Sequence, residues 1–162
     1  MTPLKWTFLM FSILLSGSVF SQTKEQLVLQ KSAEIYLQNL KKQFDIQLTE
    51  FTIETEKALL FDKLPKEIEG AKVLIRNKKE LQAKSIQLKD QKIAFFTFDL
   101  EKTANGYSVD ILDDGILCNN KDGIRYFEYD SFGAGRACEI IFDAELNYQS
   151  IDCLLLSTDP EK

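Results

Sequence analysis

The chain has no histidine among its 162 residues. That absence excludes Ser-His-Asp and Cys-His catalytic groups, histidine general bases and His-Glu-x-x-His zinc sites. Cysteine is scarce as well: only Cys118, Cys138 and Cys153 are present, and no pair has zinc-finger spacing. A zinc or haem centre therefore lacks its ordinary ligands, and no cofactor is expected. Without an imidazole beside it, a cysteine nucleophile also lacks its usual activating base. There is no Asn-x-Ser/Thr acceptor for N-glycosylation, and after residue 21 no run is long and apolar enough to span a membrane.

What is present begins with the first 21 residues. Lys5 is the only charge there, an apolar run extends from Trp6 to Leu15, and small and polar residues lead to Ser21. A basic start, a short apolar core and small residues before a polar chain form the pattern of a secretory signal peptide. The apolar core is about half the roughly 20 residues that a spanning helix needs. Cleavage is expected after Ser21, leaving 22–162 as one domain, secreted or periplasmic, with no membrane span. In that oxidising setting one intramolecular disulfide is expected, with Cys138–Cys153 a candidate bridge, Cys118 competing for either partner, and three buried thiols as the alternative.

Charge is divided unevenly. Residues 22–90 carry 13 basic and 11 acidic side chains, a net of +2, whereas residues 91–162 carry 6 basic and 14 acidic, a net of −8. Such a C-terminal half repels phosphate backbones, so nucleic acid is not an expected partner.

Thr23 and Gln26 have capping-box spacing. Leu29, Ala33, Tyr36, Leu40 and Phe44 then recur with a helical period, predicting an amphipathic helix over 24–43. An irregular middle follows: an interrupted strand around 46–53, one or two helical turns within 54–61, and a short strand at 71–75. Residues 76–79 are expected to be a basic turn. From Ala83 the alternation of Ile86 and Leu88 with Gln87 and Lys89 predicts antiparallel sheet. The clearest hairpin signal is 92–101 with 107–112, joined at Asn105-Gly106. Asp113 to Gly115 is expected to break the sheet, with further strands over 124–130, 137–144 and 150–157. If the last two pair, a register that sets Cys138 directly or diagonally opposite Cys153 points both the same way, but the sequence does not fix that register.

The expected fold class is α+β: an N-terminal amphipathic helix packed on a curved antiparallel sheet of about five or six strands. NTF2-like and cystatin-like folds share this gross layout. No residue motif supports the likeness, which remains an analogy of architecture and carries no function.

Candidate sites are few. Tyr126, Phe127 and Tyr129 precede the glycine-containing stretch 131–135, Phe132 lies within it and Arg136 follows it, forming a candidate contact surface for a ligand or partner. Asp113, Asp114, Asn120 and Asp122 are calcium candidates, although Asn and Asp before glycine are also ordinary turn residues. An EF-hand reading fails, because placing Gly123 sixth puts Cys118 first and Tyr129 twelfth, where Asp and Glu are required. No residue is assigned a catalytic role.

The leading expectation is a non-catalytic exported binding or accessory protein that engages an unknown protein or a small apolar ligand. The alternatives are a hydrolase using carboxylates around the 99–114 hairpin (Asp99, Glu101, Asp110, Asp113 and Asp114) and a structural or adhesin-like envelope module.

Overall fold

The computed structural model describes residues 22–88, 91–130 and 136–155. The expected signal peptide at 1–21 and the contact candidate Phe132 lie outside the described residues.

Helix α1 spans Lys24–Phe44 and starts where its sequence dictates. The Thr23 hydroxyl accepts from the Gln26 backbone N–H at 3.2 Å, and the Gln26 side chain accepts from the Thr23 N–H at 2.9 Å. It ends at Asp45, whose left-handed backbone (φ 54°) lets its N–H close onto the Leu40 carbonyl. Among the described residues eight strands follow: β1 (Glu50–Glu54), β2 (Glu67–Ile68), β3 (Ala71–Arg76), β4 (Ile93–Thr103), β5 (Gly106–Lys121), β6 (Ile124–Asp130), β7 (Arg136–Asp143) and β8 (Tyr148–Leu155). A 3-10 turn, Ala58–Leu60, lies between β1 and β2. A second helix, α2 (Lys78–Gln87), lies between β3 and β4.

All eight strands belong to one sheet with the order β2-β3-β1-β4-β5-β7-β8, and β6 pairs β5 off this path. The sheet is mixed. β1 runs parallel to both β3 and β4, and the remaining pairs are antiparallel. β6 pairs Gly115–Lys121 of β5 and β7 pairs Gly106–Leu112, so the two lie end to end along the same edge of the long strand.

This architecture corrects the expected fold. The sheet has eight strands instead of five or six and is mixed, not antiparallel. It is neither closed nor strongly curled, so the NTF2-like or cystatin-like layout does not apply. The difference begins at residues 76–88, where the sequence pattern suggests a basic turn and the start of a strand and the structure has α2. Asn77 instead caps α2: its side chain accepts from the Glu80 N–H at 3.0 Å, and the Glu80 carboxylate accepts from the Asn77 N–H at 2.8 Å. That helix supplies the long connection that parallel strands require, allowing β3 and β4 to flank β1 in the same direction. The break expected at Asp113 to Gly115 is likewise absent, because β5 runs through it.

Adjacent phenylalanines of β4 define the layers. Phe96 joins Val28, Leu29, Tyr36 and Leu40 of α1 in the main core, with Phe51, Ile53, Val109, Ile111, Ile140 and Phe142 from the sheet. Phe95 points the other way, into a smaller cluster with Leu81 of α2, Ile93 and Ile116. The sheet is thus covered by α1 on one face and by α2 on part of the other.

The β4–β5 hairpin pairs Thr103 with Gly106, so its turn residues are Ala104 and Asn105, one position earlier than expected. Gly106 is required there. Its φ is 153°, and a Cβ would lie 2.0 Å from the Phe142 carbonyl oxygen.

Candidate functional site

The structure separates the residues grouped by sequence around 126–136. Successive residues of β6 face opposite sides of the sheet, so Tyr126 is exposed on one side while Phe127 and Tyr129 lie on the α2 side. Phe127 packs against the Leu81 cluster. The Tyr129 hydroxyl accepts from Gln82 at 2.9 Å, and the Lys78 ammonium stands 5.0 Å from its ring centroid. Both aromatics therefore help seat α2.

Arg136 is largely covered. Its backbone N–H and guanidinium both donate to Asp113, and the guanidinium carbon lies 4.8 Å from the Phe44 ring centroid. Burial raises the Asp113 carboxyl above its ordinary range, opposed by the Arg136 hydrogen bond and charge. Burial, reinforced by Asp113, also pushes the nearby Tyr36 hydroxyl up. This cluster is a structural anchor beneath the end of α1.

The calcium candidates do not meet at one point. Asp113 and Asp114 are consecutive in β5 and face opposite sides, while Asn120 and Asp122 lie near the far hairpin tip, where Lys121 pairs Ile124. Asp122 and Gly123 form that two-residue turn, with φ of 55° and 78°. Among the described residues no three His, Cys, Asp or Glu side chains are placed to hold a metal.

A different arrangement emerges on the half of the second face that α2 leaves bare. Strand register aligns Asp99 of β4 with Asp110 of β5, Asp110 with Glu139 of β7, and Glu139 with Asp152 of β8. Four carboxylates thus form one row across four strands, about 14 Å long at the usual strand spacing. Two residues along each strand, Leu112, Ala137 and Leu154 form a parallel apolar row. Leu112 is 40% exposed and Leu154 64%, with Ile141 at 38% on the other side of the acids. A shallow groove of about 430 Å³ runs between Asp99, Asp110, Leu112, Glu139, Asp152 and Leu154.

Like charges directly opposite on neighbouring strands repel. Partial desolvation, with Glu139, Asp99 and Glu101 nearby, raises the Asp110 carboxyl above its ordinary range. Glu139 accepts from the Ser108 hydroxyl at 2.9 Å. Among the described residues, no cation pairs with Asp99, Asp110, Glu139 or Asp152.

Sequence reasoning noticed Asp99 and Asp110 but missed Glu139 and Asp152. Each strand does alternate, with an acid on the side away from its core residues. The row becomes visible only once the register is known.

Asp99 and Asp110 are the only two of the five hairpin acids paired directly across it on this face. Glu101 faces Ser108, and Asp113 lies buried on the other side. The cysteines are resolved: Cys138 and Cys153 pair directly across β7 and β8 and form a disulfide, leaving Cys118 as a half-buried thiol. Among the described residues no helix is long and apolar enough to cross a membrane. No family model matches this chain, and neither a curated protein nor a solved structure matches it.

Proposed function

We propose that the protein is an exported, non-catalytic binding or accessory module whose contact surface is the bare half of the α2-side sheet face. The observation that carries this reading is the in-register row of Asp99, Asp110, Glu139 and Asp152 beside exposed Leu112 and Leu154. A sheet face ordinarily buries its apolar side chains against another layer. Here an open apolar row adjoins four mutually repelling carboxylates, an arrangement that costs stability in isolation and becomes favourable when covered by a complementary surface. The main core favours a macromolecular partner over a small apolar ligand. Tyr36, Phe51, Phe96 and Phe142 fill the space between α1 and the sheet, where a carrier would need a cavity.

Export rests on the basic, apolar and small-residue pattern of residues 1–21. It agrees with the disulfide between Cys138 and Cys153.

The test is site-specific photocrosslinking in cells that produce the full chain. A crosslinker at Leu112, Ile141 or Leu154 is expected to yield a discrete adduct, and one at exposed Leu59 is not. Adducts at Leu59 alone, or equally at all four positions, would remove this face from consideration.

A second reading, a carboxylate-dependent hydrolase, is favoured by one observation: Asp110 has a raised pKa and stands directly opposite Asp99 in the groove. Against it, all four acids of the row are exposed side by side, whereas a glycosidase pair flanks the bond it cleaves. Turnover of a glycoside panel that disappears in Asp110→Asn would establish the hydrolase instead.

A further inference from the structure

Resting on that reading of the open face, we infer that the occupant of the groove is a basic amphipathic α-helix of a partner protein, laid across the strands. The spacing of the two rows carries the argument. Neighbouring strands are about 4.8 Å apart, so Asp99, Asp110, Glu139 and Asp152 repeat at that interval. Side chains three and four residues apart on a helix advance by about 4.5–6 Å along its axis. Lys or Arg at such positions therefore meets successive acids. An adjacent apolar stripe on the same helix meets Leu112, Ala137 and Leu154, whose row lies about 7 Å from the acids. The bare area continues the layer that α2 begins, since Leu81 of α2 already covers Ile93, Phe95 and Ile116 on this face.

Other occupants fit less well. In a two-fold contact with a second copy the acidic row would meet itself. Anionic lipid and nucleic acid would meet the same repulsion. A single divalent cation needs ligands converging on one point, whereas these carboxylates are spread along a line.

The probe is a synthetic helix-forming peptide of about 18 residues, roughly 27 Å long, with a leucine stripe beside a lysine stripe. A counterpart carries glutamine in place of every lysine. Binding of each to the purified full chain is measured by fluorescence anisotropy at low and high salt. The lysine peptide is expected to bind, to weaken with salt, and to lose about tenfold or more in affinity when Asp110→Asn and Glu139→Gln are combined. The glutamine peptide is expected to bind at least about tenfold more weakly. Thermal transitions of the variants confirm that they are folded.

Equal affinity of the two peptides would overturn the inference, because charge would not be read; crosslinks at Leu112, Ile141 and Leu154 would still uphold the contact surface. Failure of the lysine peptide to bind, or binding unaffected by the double variant, would also overturn it. So would a dimer abolished by Leu154→Lys, which would identify a second copy as the occupant. Displacement of the peptide by calcium at equal ionic strength would identify a cation site and overturn it too.

Discussion

The carboxylate of Asp113 accepts the backbone N–H of Arg136 on one oxygen and faces its guanidinium at 3.4 Å on the other. One side chain of β5 thereby fixes the first residue of β7, beyond the point where β6 ends. Asp113 is buried and Arg136 largely covered: their side chains are 3% and 15% exposed. Removing one partner strands the other charge in a site with little water, which typically costs about 3 kcal/mol or more. Asp113→Ala is expected to destabilise the fold by about that amount in urea titration. Asp113→Asn retains an acceptor for the Arg136 N–H and is expected to cost less. Equal stability of Asp113→Ala and the parent would show that the pair does not hold β7 in place.

The start of α2 gives a smaller, local prediction. Asn77 and Glu80 satisfy each other's backbone N–H groups, and loss of such a cap costs about 1 kcal/mol. Asn77→Ala should lower the urea midpoint by a corresponding amount without changing the transition slope. Asn77→Asp, which keeps the acceptor, should restore it.

The same cap shows where the sequence was legible and where it was not. At α1, capping box and apolar stripe agreed, and the helix occurs essentially where the period placed it. At α2 only the box was available. This helix buries just Leu81 and Ser85, so it has no apolar stripe, while Ile86 and Leu88 imitate strand alternation. Losing α2 hid the crossover between β3 and β4, and with it the parallel pairing of β1. The strands from β4 onward, apart from the 113–121 half of β5, were legible because they carry a period-two pattern, as in Val109 and Ile111 or Ile140 and Phe142. The acidic row was not, because alternation assigns Glu139 and Asp152 to a face but only register places them beside Asp110.

The disulfide joins residues 15 apart, which constrains the unfolded chain by about 3 kcal/mol in the loop-entropy account. A variant combining Cys138→Ser and Cys153→Ser should lose about that much in urea titration. The unreduced, denatured parent should react with a thiol reagent at Cys118 alone. A second or third reactive thiol would show that the bridge is not formed in the isolated protein.

Asp110 connects the candidate site to pH. Its carboxyl is raised above the ordinary value of 3.8 through partial desolvation, with Glu139, Asp99 and Glu101 adding repulsion. A raised acid favours the folded state while protonated, so its contribution is fully present below about 3.8 and is lost as pH rises through the folded value. Asp110→Asn removes that loss. The variant should be more stable than the parent at neutral pH by about 0.5 kcal/mol, the scale of one exposed cross-strand repulsion. The two stabilities should converge below about pH 3.8, where Asp110 is protonated in both states. A gain in stability on removing a surface charge is expected where charge is retained for binding at a cost to the fold. If Asp110→Asn were instead less stable at neutral pH, the carboxylate would have a stabilising partner in the fold, and the row would be a structural feature with no need of an external cation.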